Sequence, residues 1–283
     1  MALIAQITDL HIGFVPDSPD EANRQRLDTV IDTLIGGPNR PDMLIVSGDI
    51  TDRGDDESYT RVAGILGRCP FPVYPCLGNH DDRDAFSRAF PHVPVNGGFV
   101  QYCIRYDGLR LIVLDTLEPG RHGGAFCDAR AQWLRTKLAA DPATPTVIVM
   151  HHPPFDVGIA WMSGGEDEPW IRRFAAAIAG YPQVKAIWCG HMHRSVATLW
   201  NGATVTICPA SAAQLALDLR PIDPETPDDR PMITDDPPAY ALHRWENGRL
   251  VTLFDTAEPH GTLAKFDASL QPLVKHLAHE RHA

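Results

Sequence analysis

The chain has 283 residues, 44% hydrophobic content and a formal net charge of −11, enough apolar material for one large core or one core with a small appendage. No apolar run reaches the roughly 20 residues that cross a bilayer. No Lys/Arg cluster offsets the negative field, which argues against a nucleic-acid polymer as partner and for a small substrate.

The N-terminus opens on Ala2-Leu3-Ile4-Ala5-Gln6-Ile7, which reads as a core strand and lacks the basic, apolar and small-residue regions of a signal peptide. Six cysteines (Cys69, Cys76, Cys103, Cys127, Cys189 and Cys208) form no C-x-x-C pair, and most sit in apolar runs. Buried free thiols in a cytoplasmic protein are the expectation.

Six short runs rich in Val, Ile and Leu, at 3–7, 43–47, 73–77, 109–114, 146–150 and 184–189, predict strands buried on both faces. Helical spacing lies between them. In 23–35, Leu27, Val30, Ile31, Leu34 and Ile35 share a face, and 58–66, 129–140 and 168–179 are similar. This alternation predicts a layered α/β fold. Beyond Cys208 the segment 218–238 is dense in Asp and Pro and predicts an extended excursion. Asn247-Gly248 between 239–245 and 249–254 predicts a hairpin, and the His-containing tail predicts a frayed helix end. The division expected is a catalytic domain over 1–208, followed by 209–283, which completes the fold and offers a cap or dimer contact.

The chemistry sits at strand ends. They read Thr8-Asp9-Leu10-His11, Ser47-Gly48-Asp49-Ile50-Thr51-Asp52, Leu77-Gly78-Asn79-His80-Asp81, Met150-His151-His152-Pro153-Pro154 and Trp188-Cys189-Gly190-His191-Met192-His193. Continued alternation along the first strand puts Asp9 and His11 on one side. Active sites of open α/β sheets form at the carboxyl ends of strands, so these groups are expected to meet in one pocket. Imidazole, carboxylate and amide oxygen suit Zn, Fe, Mn or Co. They exceed what one ion needs, and two ions bridged by a carboxylate are a recurrent device for displacement at phosphorus.

The five elements D-x-H, G-D-x-x-D, G-N-H-D, H-x-P-P and G-H-x-H, in that order from Asp9 to His193, resemble the calcineurin-like metallophosphoesterase family, and most closely its bacterial class III cyclic nucleotide and glycerophosphodiester phosphodiesterases. The resemblance implies a four-layer α/β/β/α sandwich with a small C-terminal cap or hairpin extension. It implies two metal ions: Asp9, His11, Asp49 and His193 at the first, and Asn79, His151 and His191 at the second, with Asp49 bridging. It makes Asp49 and His80 the catalytic pair, with Asn79, His80 and His193 contacting substrate. His80 would hydrogen-bond a phosphate oxygen or protonate the leaving oxygen. Asp52, Asp81 and His152 are either supports for the ligands or ordinary turn residues. His92, His122, His243 and His260 fit no motif and are expected to be structural or exposed.

The activity implied is hydrolysis of a small phosphodiester (cyclic nucleotide, glycerophosphodiester or alkyl/aryl diester) by metal-activated water, in a homo-oligomer. Ala213 stands where glycerophosphodiesterases of this type tend to carry a polar residue, often His, which favours alkyl or aryl diesters. The 161–170 loop either roofs the site or is plain surface. A phosphomonoesterase or nuclease on the same site, and a non-catalytic metal-binding scaffold for partner proteins, stay open as alternatives. Gly-x-Ser-x-Gly and Gly-x-x-x-x-Gly-Lys are both absent, which argues against a serine nucleophile and a P-loop.

Overall fold

The computed structural model describes residues 1–18, 20–162, 164–258 and 260–280. The elements run β1 (Ala2–Ile7), α1 (Ala22–Gly36), β2 (Met43–Ser47), α2 (Asp56–Leu66), β3 (Val73–Cys76), α3 (Arg83–Ala89), β4 (Tyr102–Tyr106) and β5 (Leu109–Val113). They continue with α4 (Asp128–Ala139), β6 (Thr146–Val149), α5 (Pro169–Ile178), β7 (Val184–Cys189), β8 (Val196–Trp200) and β9 (Ala203–Ile207). The last part holds β10 (Gln214–Leu215), β11 (Ile233–Thr234), β12 (Ala239–Glu246), β13 (Arg249–Thr256) and α6 (Gln271–Glu280).

Two sheets carry the fold, in the orders β13-β12-β1-β2-β3 and β4-β5-β6-β7-β9-β8. Strands β1, β2 and β3 are parallel, as are β5, β6, β7 and β9, so their carboxyl ends share an edge within each sheet. The second sheet shows why its strands read as unbroken apolar runs. Leu111, Val113, Val147, Val149, Ala186 and Trp188 join the core shared with the first sheet and helices α1 to α3. Their alternating neighbours Ile112, Ile148, Ile187 and Cys189 join a second core with α4 and α5. A sheet covered on both faces keeps no polar side, and the result is the four-layer α/β/β/α sandwich.

Several strands lie beyond the sequence expectation. Strands β4, β8 and β9 are partly solvated, and their apolar pattern is correspondingly diluted. The segment after residue 208 is not peripheral throughout: β12 pairs antiparallel with β1 in the middle of the first sheet. The 218–238 excursion is extended apart from the short β11, which pairs with β10. All six cysteines are free. Cys76, Cys189 and Cys208 are buried, but Cys103 is exposed on edge strand β4, contrary to the expectation for buried thiols. Helix α6 buries none of its side chains, and among the described residues no helix is long and apolar enough to cross a membrane.

One buried polar chain ties the two sheets together. Gln6 on β1 donates through Nε2 to Ser47 Oγ on β2 (2.7 Å) and to the Cys189 carbonyl on β7 (3.0 Å). Its Oε1 therefore faces the Nε2–H of His243 at 2.9 Å, and His243 Nδ1 accepts from the Thr252 hydroxyl at 2.8 Å. The His243 ring stacks on Trp188 with centroids 3.7 Å apart. Ser47 and Cys189 each precede the glycine of a functional motif, so this chain also fixes the spacing of two strand ends that carry the site.

Candidate metal centre

The polypeptide turns sharply as it leaves β1, β2 and β7. Asp9 (φ 51°), His11 (46°), Asp49 (47°), His191 (74°) and His193 (47°) all lie in the left-handed region. This corrects the expectation for Asp9 and His11. Strand β1 ends at Ile7, and it is two left-handed turns, not continued alternation, that aim both side chains inward. Such conformations cost of order 1–3 kcal/mol each in non-glycine residues and concentrate at functional sites.

Close approach of the loops demands glycine at Gly78 and Gly190, among other positions. A Cβ on Gly78 would overlap the Asp49 backbone nitrogen and carboxylate, and a Cβ on Gly190 would overlap the Thr8 hydroxyl and crowd Asp9. Gly78→Ala is therefore expected to displace Asp49, lowering metal affinity at least tenfold by calorimetric titration, and to lower stability by about 1–3 kcal/mol, the range for overpacking.

The seven expected ligands converge. His11 Nε2 lies 3.2 Å from His193 Nε2 and 3.7 Å from Asp49 Oδ2, and His193 Nε2 lies 3.3 Å from Asp9 Oδ1. On the other side, His151 Nε2 lies 3.2 Å from both Asp49 Oδ2 and Asn79 Oδ1. The His191 ring is 5.1 Å from that of His151 by centroid. Among the described residues the triads Asp9-His11-His193, Asp9-Asp49-His151, His11-Asp49-His80 and His151-His152-His191 each place one donor atom per residue within 4.8 Å of the others. Asp49 occurs in two of them and faces both halves.

Three imidazoles are oriented by their other nitrogen. His11 Nδ1 donates to Asp52 Oδ1 (3.1 Å), His151 Nδ1 to the Ser47 carbonyl (2.8 Å) and His193 Nδ1 to the Ala213 carbonyl (2.7 Å). Each bond occupies Nδ1 and leaves Nε2 facing the cluster, the usual way a protein prepares histidine ligands. Asp52 thus supports His11. Asp81 is a loop clamp: it accepts from the backbone N–H of Ile50, Thr51 and Gly78 and from the Tyr59 hydroxyl. His152 bonds through Nδ1 to the Thr116 hydroxyl (2.8 Å) and through Nε2 to the His122 carbonyl (3.2 Å).

The electrostatics fit a cation. Burial pushes the Asp9 carboxyl up, but His193 and then His151 outweigh it and hold the group low. Burial does the same at Asp49, and His151 and His11 bring it well below the carboxylate range. Burial pushes the His151 imidazole down, yet Asp49 and Asp9 lift it to about 9. Buried carboxylates are thus compensated by protons on neighbouring imidazoles, which divalent ions would displace. The donor set of nitrogen and hard oxygen without thiolate fits Mn, Fe, Co or Zn.

His80 holds the rim. Its backbone N–H donates to Asp49 Oδ1 (2.9 Å) and its Nδ1 to the Asp52 carbonyl (2.9 Å). Its ring meets that of His11 edge-on at 4.6 Å. His122, which no motif marked, belongs here too. Its Nδ1 lies 3.1 Å from Asn79 Nδ2, and its ring lies 5.0 Å from His191 and 6.2 Å from His80. The 161–170 loop reaches the same place through Met162, whose sulfur is 3.5 Å from His122 Nε2. His92, His243 and His260 stay outside the cluster.

Comparison with known proteins agrees with this geometry. The family model for calcineurin-like phosphoesterases matches residues 2–195. The glycerophosphodiester phosphodiesterase of Enterobacter lignolyticus (strain SCF1) is 32% identical over 254 residues, covering 86% of each chain. The 3′,5′-cyclic adenosine monophosphate phosphodiesterase of Haemophilus influenzae is 27% identical over 221 residues, covering 76% of this chain and 78% of its own. In three dimensions a dimetal phosphatase from Danio rerio superposes with a TM-score of 0.67 at 14% identity, over 91% of this chain and 96% of that one. With all five motif loops gathered at one edge of a four-layer sandwich, this chain belongs to the calcineurin-like phosphoesterase family.

Proposed function

We propose that this protein is a binuclear-metal-dependent phosphodiesterase acting on small phosphodiesters. The observation that carries the reading is Asp49. It is a buried carboxylate with Oδ2 within 4 Å of an imidazole from each half of the cluster, His11 and His151, and it is the natural bridge between two ions. Asp9, His11 and His193 would hold one ion with it, and Asn79, His151 and His191 the other. When bound, the two ions activate water and neutralise phosphate oxygens.

The side chains supply the rest. Asn79 and His193 border the space where the phosphoryl group would bind. His80 is anchored by its backbone to Asp49 and by Nδ1 to Asp52, which leaves Nε2 to hydrogen-bond a phosphoryl oxygen or, when protonated, to pass its proton to the leaving oxygen. The names of the relatives from Enterobacter and Haemophilus support a diester as substrate. The net charge of −11 favours a small substrate over a polymer. Six unpaired cysteines support a cytoplasmic setting. Exposed Leu217, Leu219, Ile233 and Leu253 on the excursion and hairpin support a homo-oligomer in which residues 209–283 provide the contact.

The test is hydrolysis of bis(p-nitrophenyl) phosphate against p-nitrophenyl phosphate after chelation and reloading with Mn²⁺, Zn²⁺, Co²⁺ or Fe²⁺. Metal-restored turnover preferring the diester is expected, with His80→Ala reducing kcat by about 10²–10⁴-fold. A monoester preference would make the protein a phosphatase. Two bound ions without turnover on either ester would favour the scaffold reading.

A further inference from the structure

A cavity of about 380 Å³ opens beside the candidate metal centre, at the small end of the range for ligand sites of roughly 300–1,000 Å³. His122, His152 and His191 line it together with Phe155, Trp161, Met162 and Trp170. His122 joins the two spaces, with Nδ1 against Asn79 and Nε2 against the Met162 sulfur. Phe155 and Trp170 are buried, while Trp161 and Met162 are half-buried at the mouth.

Several of the polar groups lining this cavity are already engaged. Glu168 Oε2 accepts from Trp170 Nε1 at 3.0 Å, and Arg121 is paired with Glu118 at 3.3 Å. His152 bonds through both nitrogens, to Thr116 and to the His122 carbonyl. A polyol or charged headgroup placed here would lose water and gain few hydrogen bonds, which is costly. A flat apolar ring would lie against indole and thioether, both favourable partners for aromatic groups.

We infer that this cavity is the leaving-group subsite of the phosphodiesterase reaction and selects an aromatic ring carried on the leaving oxygen. The inference rests on the phosphodiesterase reading. In the step concerned, water oxygen forms the new bond to phosphorus while the bond from phosphorus to the aryl oxygen breaks. The bonding pair leaves with that oxygen, and any proton it takes up comes from the His80 side. Trp161 and Met162 are specificity-determining residues here and hold no metal.

The experiment uses the metal-loaded full chain with two diesters, methyl p-nitrophenyl phosphate and glycerophosphoethanolamine, and compares each variant with wild type on the same substrate, so that leaving-group reactivity cancels. Trp161→Ala is expected to raise KM for the aryl diester about tenfold with little change in kcat, to leave the glycerol diester within twofold, and to be rescued by Trp161→Phe. Met162→Ala is expected to act in the same direction. An equal loss on both substrates, or none on either, overturns the subsite. Calorimetric titration of the same metal-loaded protein with phenylphosphonate and methylphosphonate reads the cavity without turnover. The phenyl compound is expected to bind about tenfold tighter in wild type and to lose that advantage in Trp161→Ala. If wild type hydrolyses neither diester yet shows this difference, the phosphodiesterase reading fails and the aromatic subsite stands. If diesters are hydrolysed and the difference is absent, the subsite fails and the reading stands.

Discussion

Asp49→Asn is expected to abolish diester hydrolysis while leaving a folded protein. The substitution is nearly isosteric. The amide oxygen still accepts from the His80 backbone N–H, so the 78–81 loop keeps its anchor. What is lost is the negative charge and the second carboxylate oxygen, which sits 3.2 Å from His151 Nε2 and 3.7 Å from His11 Nε2. An amide nitrogen there presents hydrogens to the space between the two halves and cannot bridge two cations. Loss of several kcal/mol of transition-state stabilisation is expected, about a thousandfold or more in kcat/KM. Elemental analysis of the reloaded variant is expected to find no more than one ion per chain where wild type holds two. Retention of two ions with turnover near wild type would remove Asp49 from the bridging position and the two-ion mechanism with it.

The contrast with Asp81 shows why the sequence spoke clearly about some residues and not others. Both are acids in a loop that follows a strand, and composition does not separate them. In the fold, Asp81 is surrounded by donors: three backbone N–H groups and the Tyr59 hydroxyl. Burial lifts its carboxyl to about 6, with Asp49 adding to the rise. Asp49 instead faces imidazoles. The motif resemblance marks Asp49 as a ligand, and it takes the tertiary arrangement to make Asp81 a clamp. The strands that carry the motifs were legible because both faces of each sheet are buried, so the apolar run survives intact. Edge strands β4 and β8 were not, because one side meets solvent.

A signal for them was nonetheless present. Asp107-Gly108 and Asn201-Gly202 adopt positive φ at both residues, as Asn247-Gly248 does, and each pair joins two antiparallel strands. Only the third is marked as a hairpin from sequence, although Leu199-Trp200 and Ala203 flank Asn201-Gly202 with apolar residues of the same kind. His122 had no such marker. It lies in a loop between β5 and α4, and only folding brings it to Asn79. The geometry at Asp9 and His11 was also out of reach, since two consecutive left-handed turns in non-glycine residues run against local propensity.

The polar chain beneath the centre yields a prediction about stability alone. His243 is fully buried between Gln6 and Thr252, and burial holds its imidazole down at about 3, against 6.5 for the free group. The hydrogen bonds agree with a neutral ring, since Nε2 must donate to Gln6 Oε1 while Nδ1 accepts from Thr252. Between pH 3 and 6.5 the unfolded chain therefore binds one proton here that the folded chain refuses. Unfolding is linked to proton uptake, so stability is full above pH 6.5 and falls as the pH drops through that window, by about 1.4 kcal/mol per unit. His243→Phe keeps a flat ring against Trp188 and removes the titration, but leaves Gln6 Oε1 buried without a donor, at a cost of about 1–3 kcal/mol. In urea unfolding of metal-free protein, the variant is expected to be less stable at pH 7.5 by that amount. It is expected to draw level between about pH 4.4 and 5.8, where wild type has lost as much to the protonation of its unfolded state, and to be the more stable of the two below that. Buried carboxylates such as Asp9 and Asp49 titrate in both proteins and cancel in the difference. Parallel pH profiles would show that His243 is not held neutral by the fold, and that the link from β13 through Gln6 to the carboxyl ends of β2 and β7 does not set the acid limit of this sandwich.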